Sequence, residues 1–421
     1  MSKKISPSER IRNEITKLLN NLSPSDGSSG ALSRLARLSA GLVSQEGMEA
    51  EQREFIGAER YERVSKRRGY RSGYESRYLK SAEGPIAVQV PQVRGTETPF
   101  RSKLFDFLRG NSQVLERLAI EMYARGLSTR DVESALTDED GHCLLSRSAV
   151  SEVTEALYQE YQAFQSRDLS EIPVLYLFLD GLYEPLRTHG ITKEAILCAW
   201  AITWDGRKVL LSMTLGGKES SEAWLEFLRD LAQRGLQTPL AVTTNGNRGL
   251  IPAVDQMWPN SLRLRCWVHK MRNFASKVPD DRWGEVKPYL LAIRDAQDLE
   301  SAQDGVERFL RTFGKEFSNL CKSVTEDLDA LLANTQLPWC QRRYVRSTNL
   351  IERSFVEERR RTKTIPRFFN EKSCLKLVFA TLTRAAERWK TIPFTRTEFL
   401  QLKALCEERG VQAPSNIYKA A

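Results

Sequence analysis

A change of pattern near residue 171 constrains the fold of this chain more than any other feature. Upstream, apolar residues recur mostly at helical spacing; downstream, short apolar runs alternate with amphipathic segments. VLYLFLD has the pattern of a buried strand that ends in a carboxylate, and Asp205-Gly206 is a two-residue hairpin signal between the next two runs. The predicted order is strand, strand, strand, helix, strand, helix, strand, at residues 174–180, 195–204, 207–214, 220–235, 240–245, 249–258 and 262–267.

This order predicts an α/β chain with an RNase H-like catalytic core, in which an antiparallel three-strand meander precedes two βα units. After it, residues 271–340 contain helical patterns and no strand pattern, which predicts an all-helical insertion. The predicted organisation has an N-terminal arm and linker, a basic hairpin segment, a helix-turn-helix-like region, the first part of the core, the insertion, the final core helices and a tail. These are residues 1–50, 51–110, 111–168, 169–270, 271–340, 341–400 and 401–421.

The N-terminal arm is predicted to contain a helix, a Ser/Gly-rich linker and a second short helix. It is either a partly disordered arm or a partner-binding element. Residues 61–80 carry seven Lys/Arg against two Glu, interleaved with tyrosines, and 86–94 alternates like a strand. Cations and aromatic rings in this mixture favour nucleic-acid contact, although a solvated charged hairpin has the same composition. The candidate DNA-binding residues here are Lys66, Arg67, Arg68 and Arg71.

Residues 113–165 are predicted to form three consecutive helices. Ser128 and Asp131 make a capping box at the second helix, and Ser146 is placed to cap the third. Two short helices before a capped third indicate a helix-turn-helix-like, DNA-binding N-terminal region, and a plain helical connector is the alternative. The exposed start of the recognition helix would present Arg147, Ser148 and Ser151.

Composition limits the classes of function. The 421 residues carry 63 Lys/Arg and 54 Asp/Glu, a net charge of +9, which suits a polyanionic partner. No apolar run has the length of a membrane span, and the N-terminus lacks the apolar stretch of a signal peptide. Seven scattered cysteines and three histidines argue against a disulfide framework and His-rich metal chemistry. We therefore expect a cytoplasmic protein without a membrane partner.

Two acidic residues stand out, and each has an ordinary explanation when taken alone. Asp180 could be a turn residue, and Glu352 could belong to a capping-box variant beginning at Asn349 or to a surface salt bridge. In an RNase H-like order, however, the ends of the first and fourth strands and a late helix meet at one point. Two-metal phosphoryl chemistry needs several carboxylates there to hold two ions, and oxygen ligands suit Mg²⁺ or Mn²⁺. The third position is Asn245.

The chain resembles the Mutator-type transposases of bacterial insertion sequences from about residue 50 to residue 390. The resemblance is carried by GLSTRDV, FLDGLYEPLR, ESSEAWLEFLRDLAQRGL, NGNRGL, PNSLRLRCWVHKMRN and STNLIERSFVEERRRTK. It implies an RNase H-like domain with a DDE motif, in which Asp180 is the first catalytic and metal-binding Asp and Glu352 the catalytic Glu. The second Asp corresponds to Asn245, where the sequence departs from the family.

An amide lacks the charge with which a carboxylate holds Mg²⁺, so we expect little strand cleavage. The explanations are a deliberate inactivating substitution that lets a DNA complex survive, a naturally inactivated copy, or a misalignment in which Asp230 or Asp255 has the role. The resemblance also makes Cys266 and His269 a signature beside the active site. His269 is expected to position the scissile phosphate, and two ligands alone make no zinc site.

Residues 341–367 carry nine Lys/Arg and three Glu, so the helix that bears Glu352 is expected to follow the DNA backbone. Its candidate contacts are Arg353, Arg359, Arg360, Arg361 and Lys363. The resemblance implies a transposase that binds double-stranded DNA, both inverted-repeat ends and target, as a homodimer in the bacterial cytoplasm near the nucleoid. The alternative is a catalytically silent, transposase-derived DNA-binding regulator. Trp224 and Trp267 are expected to pack in the core.

Overall fold

The computed structural model describes residues 5–21, 28–65, 67–81, 83–110, 113–137, 143–186, 194–363, 365, 368, 370–387 and 389–414. The chain folds into two compact units, Met1–Ala156 and Leu157–Ala421. The mixed α/β composition agrees with the sequence. Within the described ranges, no helix combines the length and the apolar character needed to cross a membrane.

The N-terminal unit consists of helices and one antiparallel hairpin. Its elements are α1 (Pro7–Asn20), α2 (Ser28–Ile56), β1 (Tyr70–Ser81), β2 (Gly84–Arg94), α3 (Lys103–Leu108), α4 (Gln113–Ala124), α5 (Thr129–Ala135) and α6 (Arg147–Val153). The pairing of β1 with β2 confirms the predicted hairpin, and apolar side chains of α2, β2 and α3 enclose a small core beneath it.

The expectation of a short second helix is wrong, because α2 has 29 residues and continues past position 50. It is held along β2 by side-chain amides. Gln45 Nε2 donates to the Gln89 carbonyl at 2.8 Å, and Gln52 Nε2 donates to the Gln92 carbonyl at 2.9 Å. Such contacts between residues about 40 positions apart leave no local sequence signal. Of the predicted linker SPSDGSSG, residues 23–27 lie outside the described residues and residues 28–30 already belong to α2.

Helices α4, α5 and α6 pack around a shared cluster that includes Leu115, Val132 and Val150. The predicted capping box at Ser128 and the predicted cap at Ser146 are both present. The predicted third helix is divided, however, at Thr154, whose hydroxyl donates to the Ser151 carbonyl at 3.1 Å and so competes with the helical pattern. The segment from 136 to 146 between α5 and α6 is longer than the turn of about 3–4 residues in a helix-turn-helix.

The C-terminal unit contains a five-stranded sheet and most of the helices. Its elements are α7 (Glu155–Ser166), β3 (Val174–Glu184), β4 (Glu194–Thr203), β5 (Lys208–Gly217), α8 (Ser221–Gln233), β6 (Ala241–Thr244), α9 (Leu250–Met257), β7 (Leu262–Arg265), α10 (Trp267–Ala275), α11 (Trp283–Arg294), α12 (Leu299–Phe313), α13 (Ser318–Glu326), α14 (Leu328–Leu332), a 3-10 turn (Ala333–Gln336), α15 (Trp339–Val345), α16 (Asn349–Thr362), α17 (Glu371–Glu387) and α18 (Arg396–Arg409).

The sheet has the strand order β5-β4-β3-β6-β7. Strands β3, β4 and β5 form an antiparallel meander, and β6 and β7 extend it in parallel. The predicted element order is therefore present, and Gly206 has the positive φ of 79° that its hairpin turn requires. The first strand does not end at Asp180 as expected: it continues to Glu184, because β4 pairs with it as far as Glu194.

Helices cover both faces of this sheet. One face packs against α8 and α9 in a core that contains the fully buried Trp224, and α16 and α17 contact β3 and β5. Helices α10 to α14 enclose a core of their own around Phe309, with Trp267 at its edge, so the predicted helical insertion and the core positions of both tryptophans are present. Its first helix begins at Trp267, inside the last predicted strand, since β7 ends at Arg265.

The predicted tail from residue 401 is wrong, because α18 occupies Arg396–Arg409. A complete capping box of Thr395 and Glu398 begins this helix. Phe399 packs edge-on against Trp204 at 5.3 Å between ring centroids, which anchors α18 to the end of β4. This burial of apolar side chains explains why the chain remains helical beyond the core helices.

Candidate active site

Asp180 lies on β3 and faces the side of the sheet opposite to Leu177 and Leu179, which belong to the core under α8 and α9. Its side chain is 6% exposed. Oδ1 accepts hydrogen bonds from the Gly181 amide at 2.9 Å and from Asn245 Nδ2 at 2.7 Å. Burial raises the pKa of the carboxyl group to about 6, although both hydrogen bonds act in the opposite direction. The positive charge of His269 also lowers this pKa, so Asp180 is a buried acid whose charge is balanced only in part.

Asn245 is positioned by the turn that follows β6. The register of β6 on β3 places Leu179 beside Thr244, so the next residue of each strand lies at the same edge. Asn245 Oδ1 accepts from the Asn247 amide at 2.8 Å, while Nδ2 donates to Asp180. Gly246 adopts a φ of 82°, and a Cβ there would overlap the Arg265 guanidinium. The turn thus fixes the amide with its NH₂ group toward the carboxylate.

Glu352 reaches this region from the first turn of α16. Its Oε1 is 3.7 Å from His269 Nδ1 and accepts from Thr348 Oγ1 at 3.4 Å, while Oε2 is 3.5 Å from Arg272 Nη2. The capping-box alternative is wrong, because α16 begins at Asn349 after the N-cap Thr348, which makes no side-chain capping bond. The salt-bridge alternative is present in the contact with Arg272, which does not exclude a second role.

Cys266, His269 and Thr348 form a compact hydrogen-bonded group next to Glu352. Cys266 Sγ accepts from the Thr348 amide at 3.3 Å and lies 3.4 Å from His269 Nδ1. Burial alone would raise the pKa of the Cys266 thiol, but these hydrogen bonds lower it. The hydrogen bond to Cys266 raises the pKa of His269 against the effect of burial, and the charges of Asp180 and Glu352 raise it further.

The structure therefore brings the predicted residues together. Asp180 and Asn245 are in direct contact, and His269 interacts electrostatically with the carboxylates of both Asp180 and Glu352. The alternative aspartates lie elsewhere: Asp230 on α8 pairs with Arg234 at 3.0 Å, and Asp255 on α9 pairs with Arg263 at 3.1 Å. Neither is among the described groups that interact with Asp180.

The oxygens of Asp180 and Glu352 are suitable ligands for a hard divalent cation. Asn245 fits less well, because its NH₂ group faces Asp180 and its oxygen accepts from a backbone amide. The sequence indicates only Cys266 and His269 as possible zinc ligands. Glu352 is a third group here, since one ligand atom from each residue lies within 4.8 Å of the other two.

Comparison with known proteins identifies the family. A model of the family described as "Transposase, Mutator family" matches residues 15–392. The chain belongs to this family. It is 35% identical over 348 residues to the transposase for insertion sequence element ISRM5 of Rhizobium meliloti (strain 1021), which covers 82% of this chain and 86% of that protein. The transposase for IS256 in transposon Tn4001 of Staphylococcus aureus is 30% identical over 345 residues, 81% of this chain and 87% of its own. The transposase for IS6120 of Mycolicibacterium smegmatis is 32% identical over 272 residues, 64% of this chain and 84% of its own.

Two residues of the site in this Mutator-family chain were not singled out from the sequence. Glu219 accepts from Asn247 Nδ2 at 2.7 Å, and burial raises the pKa of its carboxyl group. Burial followed by the charge of Glu219 raises the pKa of the nearby Tyr183 to about 12. Arg272, on α10, pairs with Glu352. Glu219 precedes the N-cap Ser220 of α8, so an acid just outside a helix start was its only signal.

The predicted DNA-binding residues of the hairpin segment differ in their availability. Arg68 is exposed, and Lys66 lies outside the described residues. Arg67 Nε donates to the Gly69 carbonyl at 2.8 Å, and Arg71 Nη2 donates to the Ala58 carbonyl at 3.0 Å. Two of these arginines therefore stabilise the local fold as well as adding positive charge.

The remaining candidates lie at helix surfaces of the Mutator-family chain. Arg147, Ser148 and Ser151 are exposed on α6, as the predicted recognition helix requires. On α16 and at its C-cap, Arg353, Arg359, Arg360 and Lys363 are exposed. Arg360 and Arg361 also pair with Glu357 at 2.7 and 2.8 Å, so part of their charge is compensated within the helix.

Proposed function

We propose that this chain is a DNA transposase with an RNase H-like core, whose active form cleaves and joins DNA strands at the ends of an insertion sequence. The observation that carries the proposal is the meeting of Asp180, Asn245, His269 and Glu352 beside one edge of the sheet. These residues come from within β3, from the turn after β6, from α10 and from the first turn of α16. The match of the transposase family to residues 15–392 includes all four of these residues and supports the same conclusion.

In the active form, Asp180, Glu352 and a carboxylate at position 245 would hold two Mg²⁺ or Mn²⁺ ions. Such ions supply Lewis-acid stabilisation of charge during phosphodiester cleavage and strand transfer. The chain's own cations complete the site. His269 Nδ1 is 3.7 Å from Glu352 Oε1, and the charges of Asp180 and Glu352 help to raise the pKa of His269, so it is suited to donate a hydrogen bond to a phosphate oxygen. Arg272, exposed and near Glu352, adds positive charge where a phosphate would approach.

Asn245 makes the present chain a weak or inactive catalyst under this proposal. Its NH₂ group donates to the Asp180 oxygen, whereas a carboxylate at this position would place an acceptor there and require a cation. The N–H donor of the amide thus stabilises part of the negative charge of Asp180, which a bound cation would otherwise stabilise. DNA binding does not depend on this exchange, so the chain would still engage its substrate.

We further propose that the exposed cations of the hairpin segment, α6 and α16 bind double-stranded DNA, including inverted-repeat ends and target. A homodimer would hold two ends together, in the bacterial cytoplasm and on the nucleoid. The net charge of +9 supports a polyanionic partner. On α16, Arg359→Ala should reduce the salt dependence of DNA binding by about one unit of slope, since each phosphate contact contributes about 0.9. Arg360→Ala, which removes a cation already paired with Glu357, is the matched control and should reduce it less.

The enzymatic proposal is tested with Asn245→Asp protein, labelled DNA carrying the ends of its insertion sequence, and Mg²⁺ or Mn²⁺. We expect cleavage and joining by this variant and little by the Asn245 chain. Adding Asp180→Asn to the variant should abolish both reactions without preventing DNA binding. If Asn245→Asp protein binds these ends with a divalent ion present and yet neither nicks nor joins them, the proposal is wrong.

A second candidate is a catalytically silent DNA-binding regulator derived from a transposase. The direct hydrogen bond from Asn245 to Asp180 favours it, because this contact stabilises the acid without an ion. This candidate predicts specific DNA binding by the Asn245 chain and no cleavage by Asn245→Asp protein. The cleavage assay therefore separates the two proposals.

A further inference from the structure

A cavity of about 480 Å³ lies on the helical insertion beside the candidate active site. Its walls come from α10, α11 and the junction between α15 and α16. Its volume falls in the range of roughly 300–1,000 Å³ that is typical of small-molecule sites. Neither the family match nor the candidate active site gives this cavity a role. The side chains that line it must therefore indicate what it binds.

Cations dominate the charged part of the lining, and no acidic side chain is among the described residues that form it. The cations are Arg272, Lys287, Arg294, Arg343 and Arg346. Asp295, outside the lining, pairs with both Arg294 and Arg346 at 2.6 Å, and Glu352 is 3.5 Å from Arg272. Five cations against these two acids leave an excess of positive charge. An anionic ligand is therefore favoured over a neutral or cationic one.

Aromatic and apolar side chains form the rest of the wall. Trp267 is 3% exposed, and its Nε1 donates to the Leu331 carbonyl at 3.1 Å, so its ring is held rigidly. Trp283, the first residue of α11, is half-buried at the cavity, and Met271 lies in the same wall. Rigid aromatic surfaces next to cations suit a planar base attached to a phosphate better than an inorganic anion alone.

The cavity adjoins the reacting region directly. Arg272 lines it and also contacts Glu352, and Asn349, the first residue of α16, lines it one turn before Glu352. A DNA strand whose phosphate lies at Glu352 would thus have a neighbouring nucleotide within reach of the cavity. A base inside a duplex cannot enter a cavity lined by side chains, so the nucleotide must leave the stack.

We propose that this cavity holds one unstacked nucleotide of the DNA strand next to the reacting phosphate, with its base against Trp283 and its phosphate near Lys287 and Arg343. The proposal rests on the proposed function, because it assumes a DNA substrate at Glu352. Under it, the helical insertion holds the strand in a distorted form, which exposes the phosphate between the cavity and the carboxylates.

Photo-crosslinking tests the position of the base. The Asn245 chain is mixed with end DNA that carries 5-iododeoxyuridine at one position at a time, irradiated and mapped by mass spectrometry. We expect Trp283 to crosslink from a single position close to the cleavage site. Crosslinks confined to other segments, with none in 267–349, would overturn the proposal.

Affinity measurements test the energetic contribution. Stacking of a base on an aromatic ring predicts that Trp283→Ala weakens binding of end DNA roughly 5- to 150-fold. Trp283→Phe should keep most of the affinity. Trp339→Ala is the matched control, because Trp339 is 57% exposed and lies outside this cavity. An abasic site at the crosslinked position should remove the difference between the parent chain and Trp283→Ala.

The outcomes separate this inference from the function on which it rests. If the parent chain binds no end DNA, the proposed function fails. If it binds end DNA but Trp283→Ala, shown to be folded by circular dichroism, binds as tightly as the parent, only the nucleotide cavity is refuted. A loss of affinity that persists equally with abasic DNA also refutes it, because the base would then not be the contact.

Discussion

Replacing Asn245 by Asp would place two carboxylates next to each other in the candidate active site. The Asn245 chain stabilises the buried Asp180 with an N–H donor at 2.7 Å from its Oδ1. In Asn245→Asp protein, this donor becomes a second carboxylate, while the turn with Gly246 still directs the side chain toward Asp180. Two acids would then share a space that excludes most water, and only a bound cation or a shared proton would relieve their repulsion.

The size of the effect follows from two contributions. A hydrogen bond to a charged group stabilises a fold by about 1.5–3 kcal/mol. Two like charges about 4 Å apart repel by about 4 kcal/mol at an effective dielectric constant of 20. At neutral pH a shared proton relieves part of this repulsion, so we expect Asn245→Asp to lose about 4 kcal/mol there without divalent ions. At about 2–4 °C per kcal/mol, the melting temperature would fall by about 8–16 °C.

Thermal unfolding with EDTA or Mg²⁺ is the assay. Magnesium at about 100 times its dissociation constant should restore about 2.7 kcal/mol to Asn245→Asp protein and should change the Asn245 chain much less. The matched control exchanges the two side chains: Asp180→Asn with Asn245→Asp keeps one amide beside one carboxylate and should lose the large response to magnesium. If the parent chain is stabilised by magnesium as strongly as Asn245→Asp protein, the electrostatic reasoning is refuted.

Three further predictions concern single groups. Because Asp180 has its pKa raised from 3.8 to about 6, the folded chain binds this proton more tightly than the unfolded chain does. The free energy of unfolding of the parent chain should therefore fall by up to about 3 kcal/mol as the pH rises from 4 to 6. Urea titrations of Asp180→Asn protein should lack this fall. If the free energy of unfolding of that variant falls with pH as steeply as that of the parent, the assignment to Asp180 is wrong. Burial and an acidic neighbour raise the pKa of Glu358 to about 8, so Glu358→Gln should gain stability relative to the parent as pH rises toward that value, measured in the same way. Gly181→Ala should cost about 1–3 kcal/mol, because its Cβ would overlap the Glu219 carboxylate, whereas Gly284→Ala meets open space and should be neutral or slightly stabilising in urea denaturation.

The parts of the fold with local signals could be predicted from the sequence. Continuous apolar runs and the Asp205-Gly206 turn predict the order of strands and helices along the chain, because buried strands and two-residue hairpins depend on adjacent residues. The capping box at Ser128 and the cap at Ser146 could be predicted in the same way. The length of α2 and the existence of α18 depend on contacts with distant segments, so periodicity alone did not establish them.

The candidate site could be predicted only in part, for a similar reason. Asp180 and Glu352 could be recognised because the predicted order of elements brings the first strand and a late helix to one point. An acid after that strand and an acid on that helix then become candidates for one site. Glu219 and Arg272 were missed, since Glu219 looks like an ordinary acid before a helix and Arg272 like an ordinary helix-surface cation until their partners across the fold are known. The orientation of the Asn245 amide is also a tertiary property, because it depends on the turn and on Asp180 together.

The position of α16 in the chain has a consequence for incomplete products. All strands of the sheet, including the one that carries Asp180, precede residue 266, whereas Glu352 follows the helical insertion. The helix of Glu352 contacts the site through the hydrogen bond between the Thr348 amide and Cys266. A protein shortened anywhere within the insertion would keep the strands and lose the last acid. Under the proposed function, premature stops and ribosome drop-off in this stretch would therefore release fragments that lack an acid required for strand cleavage.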